Sequence, residues 1–317
     1  MDPIIDVQNL GSSGLQVSSI GLGTWAWGDR FLWGYGNNYG YDDIADAFNV
    51  YINMGGNFID TAEFYGYGKS EQFIGDFIKQ KKPNLVIASK FMPYPWRLRG
   101  QDLIRALKQS LKRLSLNNID LYQIHWPFPP VSIETWCNTL AECVKEGLIN
   151  AVGVSNFNVS QLLRAHKTLS KHNISLTSNQ VEYHLLNRKI ENNGLFQQCK
   201  DIGISIIAYS PLAQGLLTGK YTPDNVPKGI RGSRYPHKLL HEIDPLIQRM
   251  RDIGRDHDSK TPGQVALNWI ICKSAIPIPG AKSGFQAQQN CGAMGWRLSE
   301  DEVNVLDRMS AEINNHR

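Results

Sequence analysis

Residues 57–75 read NFIDTAEFYGYGKSEQFIG. A short apolar run stops at Asp60 and Thr61, passes through aromatics and glycines, and resumes with an amphipathic spacing. The run reads as a buried strand, and Gly66 and Gly68 permit the tight backbone turns that follow it. Ser70 and Glu71 then open a helix whose apolar positions Phe73, Ile74 and Phe77 dock on the sheet. Strand, polar loop and docking helix make one unit of a parallel sheet.

Similar units recur along the chain. The candidate strands are SIGLG (19–23), NFID (57–60), LVIASK (85–90), DLYQIHW (120–126), NAVGVS (150–155), TSNQVEY (177–183), SIIAYS (205–210) and AIPIPG (275–280). Before them, VQNL and LQVSSIGLG joined by GSSG form a hairpin. Helical spacing predicts helices near 42–54, 70–79, 100–114, 133–146, 158–172 and 193–201. An excursion follows, with a Pro-, Gly- and Arg-rich loop at 221–238 and helices near 241–257 and 261–272, the latter opened by SKTPGQ with Pro262 in its first turn. Eight units in 317 residues predict a single-domain α/β (β/α)8 TIM barrel over 1–317, with an N-terminal hairpin and extra loops and helices toward its C-terminal side. A doubly wound open sheet would place a glycine fingerprint and a helix after its first strand. GLGTWAWGD instead carries two tryptophans, and no helix pattern starts before Tyr41.

Composition excludes several classes. Hydrophobic residues are 42 % and charged residues 20 %, with a net charge of +4 and scattered basic residues, so neither disorder nor a nucleic-acid footprint is expected. The basic segment KQKKP (79–83) suits a helix C-terminus. Cys137, Cys143, Cys199, Cys272 and Cys291 form no Cys-x-x-Cys pair, so no metal site is expected and the thiols read as reduced. No apolar run approaches a membrane span and no signal sequence stands at the start, so the expected compartment is cytoplasmic, or an organelle if a transit peptide has been removed.

In a barrel the active site is built at the C-terminal strand ends. Asp60, Lys90 and His125 close three consecutive strands there, and Tyr65 hangs from the loop after the first of them. Singly, each has a plain structural role open to it: a loop cap, a surface lysine, a satisfied core histidine, a packed tyrosine. Together they aim an acid, an amine, an imidazole and a phenol at one volume. A carboxylate beside an ammonium keeps it charged, and that charge is expected to lower the Tyr65 pKa from ~10. Further along, Ser155, Asn156 and Gln180 offer amide-binding groups, Tyr209 a stacking face, and PGAKSGFQAQQN (279–290) a helix N-terminus suited to an anion. No acidic residue lies within that last segment.

These motifs resemble the aldo-keto reductase family. FIDTAEFYG, ASKF, YQIHWP, AVGVSNF, SNQVEYH, AYSPLAQGLLTGKY and IPIPGAKSGFQAQQN stand in the family's order from about Gly21 to Asn290. The resemblance implies NADPH-dependent reduction of aldehydes and ketones, with Tyr65 as general acid, Lys90 and Asp60 tuning it, and His125 orienting the carbonyl. It implies an NADP(H) site of Gly23, Thr24, Trp25, Asp60, Ser155, Asn156, Gln180, Tyr209, Ser210, Pro211, Leu212, Gln214, Gly215, Lys220, Gly280, Lys282, Gln286, Gln289 and Asn290. Many relatives carry arginine at the position of Gln286 and glutamate at that of Gln289, so the phosphate clamp has one charge fewer here.

A substrate pocket of Trp25, Trp27, Tyr65, His125 and Trp126 is expected, with Phe31, Tyr67 and Trp96 flanking it, for a small-molecule carbonyl and with no nucleic-acid or membrane partner. Oligomeric state is open. Two rival readings are a nucleotide-sensing regulatory subunit, whose known examples replace the histidine by asparagine, and a Schiff-base aldolase using Lys90. Lys282→Glu should weaken NADPH binding far more than NADH binding in parallel titrations, whereas equal loss would remove Lys282 from the phosphate site.

Overall fold

The computed structural model describes residues 4–81, 83–226 and 237–315. Among them, β1 (Val7–Asn9) and β2 (Gln16–Ser18) pair antiparallel, and eight parallel strands follow: β3 (Leu22–Gly23), β4 (Phe58–Asp60), β5 (Val86–Phe91), β6 (Ile119–Ile124), β7 (Ile149–Ser155), β8 (Leu176–Glu182), β9 (Ser205–Tyr209) and β10 (Ile276–Pro277). Each pairs with its neighbour in chain order. Gly21 and Gly23 donate backbone N–H groups to the carbonyls of Pro277 and Pro279 at 2.9 and 3.1 Å, which closes the sheet into a cylinder. A Cβ on Gly23 would lie 2.7 Å from the Ile278 carbonyl oxygen, so closure needs glycine there.

Inward positions alternate along each strand. The lower layer is apolar, with Phe58, Ala88, Leu121, Ala151, Ile207 and Ile276 in one cluster, and Leu10 and Val17 of the hairpin join it. The hairpin thus plugs the N-terminal end of the barrel, anchored by the Gly11 N–H on Ser205 Oγ at 2.7 Å. Toward the other end the same faces turn polar: Phe58 gives way to Asp60, Ala88 to Lys90, Leu121 to Gln123, Ala151 through Gly153 to Ser155, and Ile207 to Tyr209.

Helices α1 (Tyr41–Asn53), α2 (Lys69–Lys81), α3 (Gly100–Leu114), α4 (Ile133–Lys145) and α5 (Val159–Ser170) cover the outer face. Their apolar stripes are buried, as with Ile74 and Phe77 of α2 and Leu103, Leu107 and Leu111 of α3. The starts of α4 and α5 are capped, with Ser132 accepting from the Thr135 N–H and Asn158 from the Gln161 N–H. Helices Lys189–Asn192 and Leu195–Asp201 join β8 to β9, and the excursion holds helices His237–Asp256 and Pro262–Cys272, the last opened by a Thr261 capping box with Pro262 at its first position. Much of the loop predicted at 221–238 lies outside the described residues. A closing helix, Glu300–Asn315, was not anticipated from the periodicity. Its Asp307 accepts Trp269 Nε1 at 2.9 Å and Lys273 Nζ at 2.9 Å, so tertiary ion pairs fix it.

The five cysteines are free, and burial pushes the thiols of Cys137, Cys143, Cys199 and Cys291 up to about 12. Among the described residues, no helix is long and apolar enough to cross a membrane.

Glu71 ties α2 to the barrel. Fully buried, it accepts Ser89 Oγ at 2.5 Å and the guanidinium of Arg113 at 2.6 Å. Glu71→Ala removes the acceptor of Ser89 and the counter-charge of Arg113 and should cost about 3 kcal/mol or more, read as a lower urea midpoint at unchanged slope.

Candidate active site

The strand ends converge as the sequence predicted. Asp60 ends β4, Lys90 lies near the end of β5, and His125 follows β6 directly. Register pairs Asp60 with Ala88 and Lys90 with Gln123, so the three side chains rise from adjacent strands at nearly one level. Tyr65 starts a turn of 3-10 helix in which Gly66 and Tyr67 hold left-handed backbone at φ 56°. A Cβ on Gly66 would come 2.9 Å from the Gly28 backbone, so the loop packs closely enough to require glycine.

Lys90 is 0 % exposed. Its ammonium donates to Asp60 Oδ1 at 2.6 Å, to the Thr61 carbonyl at 2.8 Å and to the Tyr65 hydroxyl at 3.2 Å, which uses all three protons. Burial favours the neutral amine, but the Asp60 carboxylate and Tyr65 outweigh it and raise the Lys90 pKa. A charged, fully engaged amine beneath the cleft floor is no free nucleophile, which removes the aldolase chemistry from Lys90.

The expected acidification of Tyr65 is overturned. Burial is the largest influence and raises its pKa, the Lys90 charge lowers it, and Asp60 raises it again. The carboxylate that keeps Lys90 charged also offsets much of the help that charge gives the phenol. His125 packs edge-on to Tyr65 with ring centroids 5.9 Å apart. Burial and then the Lys90 charge push its pKa down to about 3, so its imidazole is neutral at physiological pH.

A cleft of about 740 Å³ opens above this group. Gln180 Nε2 donates to Asp60 Oδ2 at 2.7 Å, a bond that orients the amide and leaves its carbonyl as an acceptor. Ser155 Oγ donates to the main-chain carbonyl of Gln180 at 2.9 Å, and Tyr209 donates its hydroxyl to Asn156 Oδ1 at 3.0 Å. Asn156 adopts φ 63° and ties the loop to the His125 carbonyl at 3.2 Å. Gly23, Thr24, Trp25, Ser210, Pro211, Leu212, Gln214, Gly215, Lys220, Gly280, Lys282, Gln286, Gln289 and Asn290 all line the same cleft. Its walls continue from the tetrad to the start of helix Gly284–Cys291, with amide groups at one end and Lys282 at the other.

Some expectations fail. Trp27 is 0 % exposed, donates Nε1 to the Ala281 carbonyl at 2.8 Å and packs on Phe77, so it is core rather than pocket. Phe31, Tyr67 and Trp96 are exposed and lie outside the cleft lining, and Trp96 stacks on Tyr94. Trp25 and Trp126 do line it, joined by Trp33, Phe64, Met92, Tyr221 and Phe285, which the strand-end rule did not single out because they sit in loops or on a neighbouring helix. The sequence segment 279–290 carries no acid, yet Asp46 of α1 reaches its helix and accepts the Gly284 N–H at 3.1 Å.

The Aldo/keto reductase family model matches residues 19–311. The chain is 38 % identical over 311 residues to the chloroplastic pyridoxal reductase of Arabidopsis thaliana, covering 94 % of this chain and 84 % of that protein. The glycerol dehydrogenase of Gluconobacter oxydans superposes with a TM-score of 0.85 at 26 % identity, over 97 % of this chain and 95 % of that one. An aldo-keto reductase from Klebsiella pneumoniae in complex with NADPH gives 0.75 at 28 % identity, over 98 % and 95 %. The chain belongs to the aldo-keto reductase family.

His125 should titrate far below an ordinary imidazole. NMR of the labelled ring should show the neutral form persisting from pH 8 to 5. Folded His125 binds its proton only near 3 while the unfolded chain binds it near ~6.5, so stability should fall as pH drops from 6.5 toward 3.

Proposed function

We propose that this protein reduces aldehydes and ketones to alcohols with NADPH, Tyr65 acting as the general acid. The observation that carries the reading is the ammonium of Lys90, held between Asp60 at 2.6 Å and the Tyr65 hydroxyl at 3.2 Å. A bound nicotinamide supplies the hydride. Lys90 steadies the phenolate that Tyr65 becomes once its proton has left, and Asp60 keeps Lys90 charged. Neutral His125 orients the carbonyl by a hydrogen bond and needs no proton change of its own. Gln180, its amide turned by Asp60, offers its carbonyl to the cofactor's carboxamide, with Ser155 and Asn156 beside it. Lys282 serves the adenosine phosphate end. In alcohol oxidation Tyr65 works in reverse, as the base.

The substrate we assign is an aromatic aldehyde. Support comes from the aromatic wall of Trp25, Trp33, Phe64 and Trp126 around Tyr65, and from the name of the Arabidopsis relative, which makes pyridoxal the first compound to test. Retention of His125, and its placement beside Tyr65, favours turnover over the nucleotide-sensing alternative.

Tyr65→Phe should cut reduction of pyridoxal and 4-nitrobenzaldehyde by about 10²–10⁴-fold while leaving NADPH affinity within about twofold. Retained activity would remove Tyr65 as the acid. For the parent enzyme, kcat for reduction should show no inflection near 6.5, where an ordinary histidine titrates. It should fall only above ~10, because the acid must be protonated and its pKa is raised.

A further inference from the structure

We propose that Asp46 is a specificity-determining residue at the adenosine end of the cleft, where its carboxylate opposes a 2′-phosphate and narrows the margin of NADPH over NADH. The inference rests on the cleft being the dinucleotide site. It adds a residue outside the segment that forms the phosphate end.

Asp46 lies in α1, far in sequence from helix Gly284–Cys291, yet its Oδ2 accepts the N–H of Gly284, the first residue of that helix. The contact depends on the missing side chain. A Cβ on Gly284 would fall 2.1 Å from the same oxygen and 2.7 Å from the carboxylate carbon, so any other residue would evict Asp46. Ser283 and Phe285, on either side of Gly284, line the cleft, which places the carboxylate one residue behind its wall.

Two further backbone donors of this turn are engaged. Lys282 donates its backbone N–H to Gln286 Oε1 at 2.9 Å, and Gln286 donates its own to Ser283 Oγ at 3.4 Å. The Lys282 ammonium stands over the rings of Trp33 and Tyr39, at 5.5 and 4.9 Å from their centroids. The helix start therefore presents one cation and one anion. A 2′-phosphate brings about two negative charges to a helix end that already holds a carboxylate, whereas the 2′-hydroxyl of NADH brings none.

The test is dinucleotide binding without turnover. Quenching of tryptophan fluorescence gives the Kd of NADPH and NADH for the parent protein, for Asp46→Asn, which keeps an acceptor but removes the charge, and for Asp46→Ala. Both variants should bind NADPH about three- to tenfold more tightly, with NADH changed less than about twofold, and the gain should shrink at high salt because Asp46 is exposed. An unchanged NADPH-to-NADH ratio, or equal weakening of both in either variant, would overturn the role of Asp46 and leave the cleft reading intact. If the parent protein binds neither dinucleotide, the cleft reading falls and the inference with it.

Discussion

An ammonium with no exposed surface is stable only where every proton has an acceptor and a counter-charge lies close by, and Lys90 meets both conditions through Asp60, the Thr61 carbonyl and Tyr65. Much of the upper barrel is arranged around that pair. Asp60 is fully buried as well, and its second oxygen accepts the amides of Gln180 at 2.7 Å and Gln123 at 3.3 Å. Four of the eight inner faces, those of β4, β5, β6 and β8, contribute to one charge-neutral network. Removing either charge would strand the other in a medium that cannot solvate it.

The network also explains why the phenol is not a strong acid. Lys90 and Asp60 act on Tyr65 with opposite signs, and burial adds to the carboxylate's side. What the pair supplies is a fixed dipole next to the hydroxyl rather than a large shift toward phenolate, a preorganised arrangement of the kind that stabilises charge as it develops. The same Lys90 charge helps hold His125 neutral, so the two groups facing the carbonyl differ in role through their surroundings. A protonated phenol stands beside an imidazole that can only be neutral, and each state follows from depth in the barrel.

Away from the tetrad the cleft changes character. Its middle is fixed by two loops with left-handed backbone, at Asn156 after β7 and at Ser210 and Gln214 after β9, held by side-chain and backbone bonds rather than by a buried charge. At its far end most groups are exposed or half-buried, and Lys282 and Asp46 bring opposite charges. A buried, tightly bonded end and a looser, more open end thus share one cavity.

The alternation of apolar runs and amphipathic stretches determined the barrel by itself, because side-chain period and strand order are local properties of the chain. The tetrad was equally legible, since a barrel's strand ends converge whatever the details. Sequence spacing could not show that Trp27 turns inward to the Ala281 carbonyl while Trp25, two residues before it, faces the cleft, because neither sits in a regular element with a fixed period. Nor could it give the sign of the Tyr65 shift, which depends on how deeply the phenol is buried, or bring Asp46 to Gly284 across 238 positions of chain. Local patterning chose the elements and the strand-end chemistry. Burial depth and contacts between distant segments, which exist only once the barrel has closed, set the charge states and the surroundings of the cleft's far end.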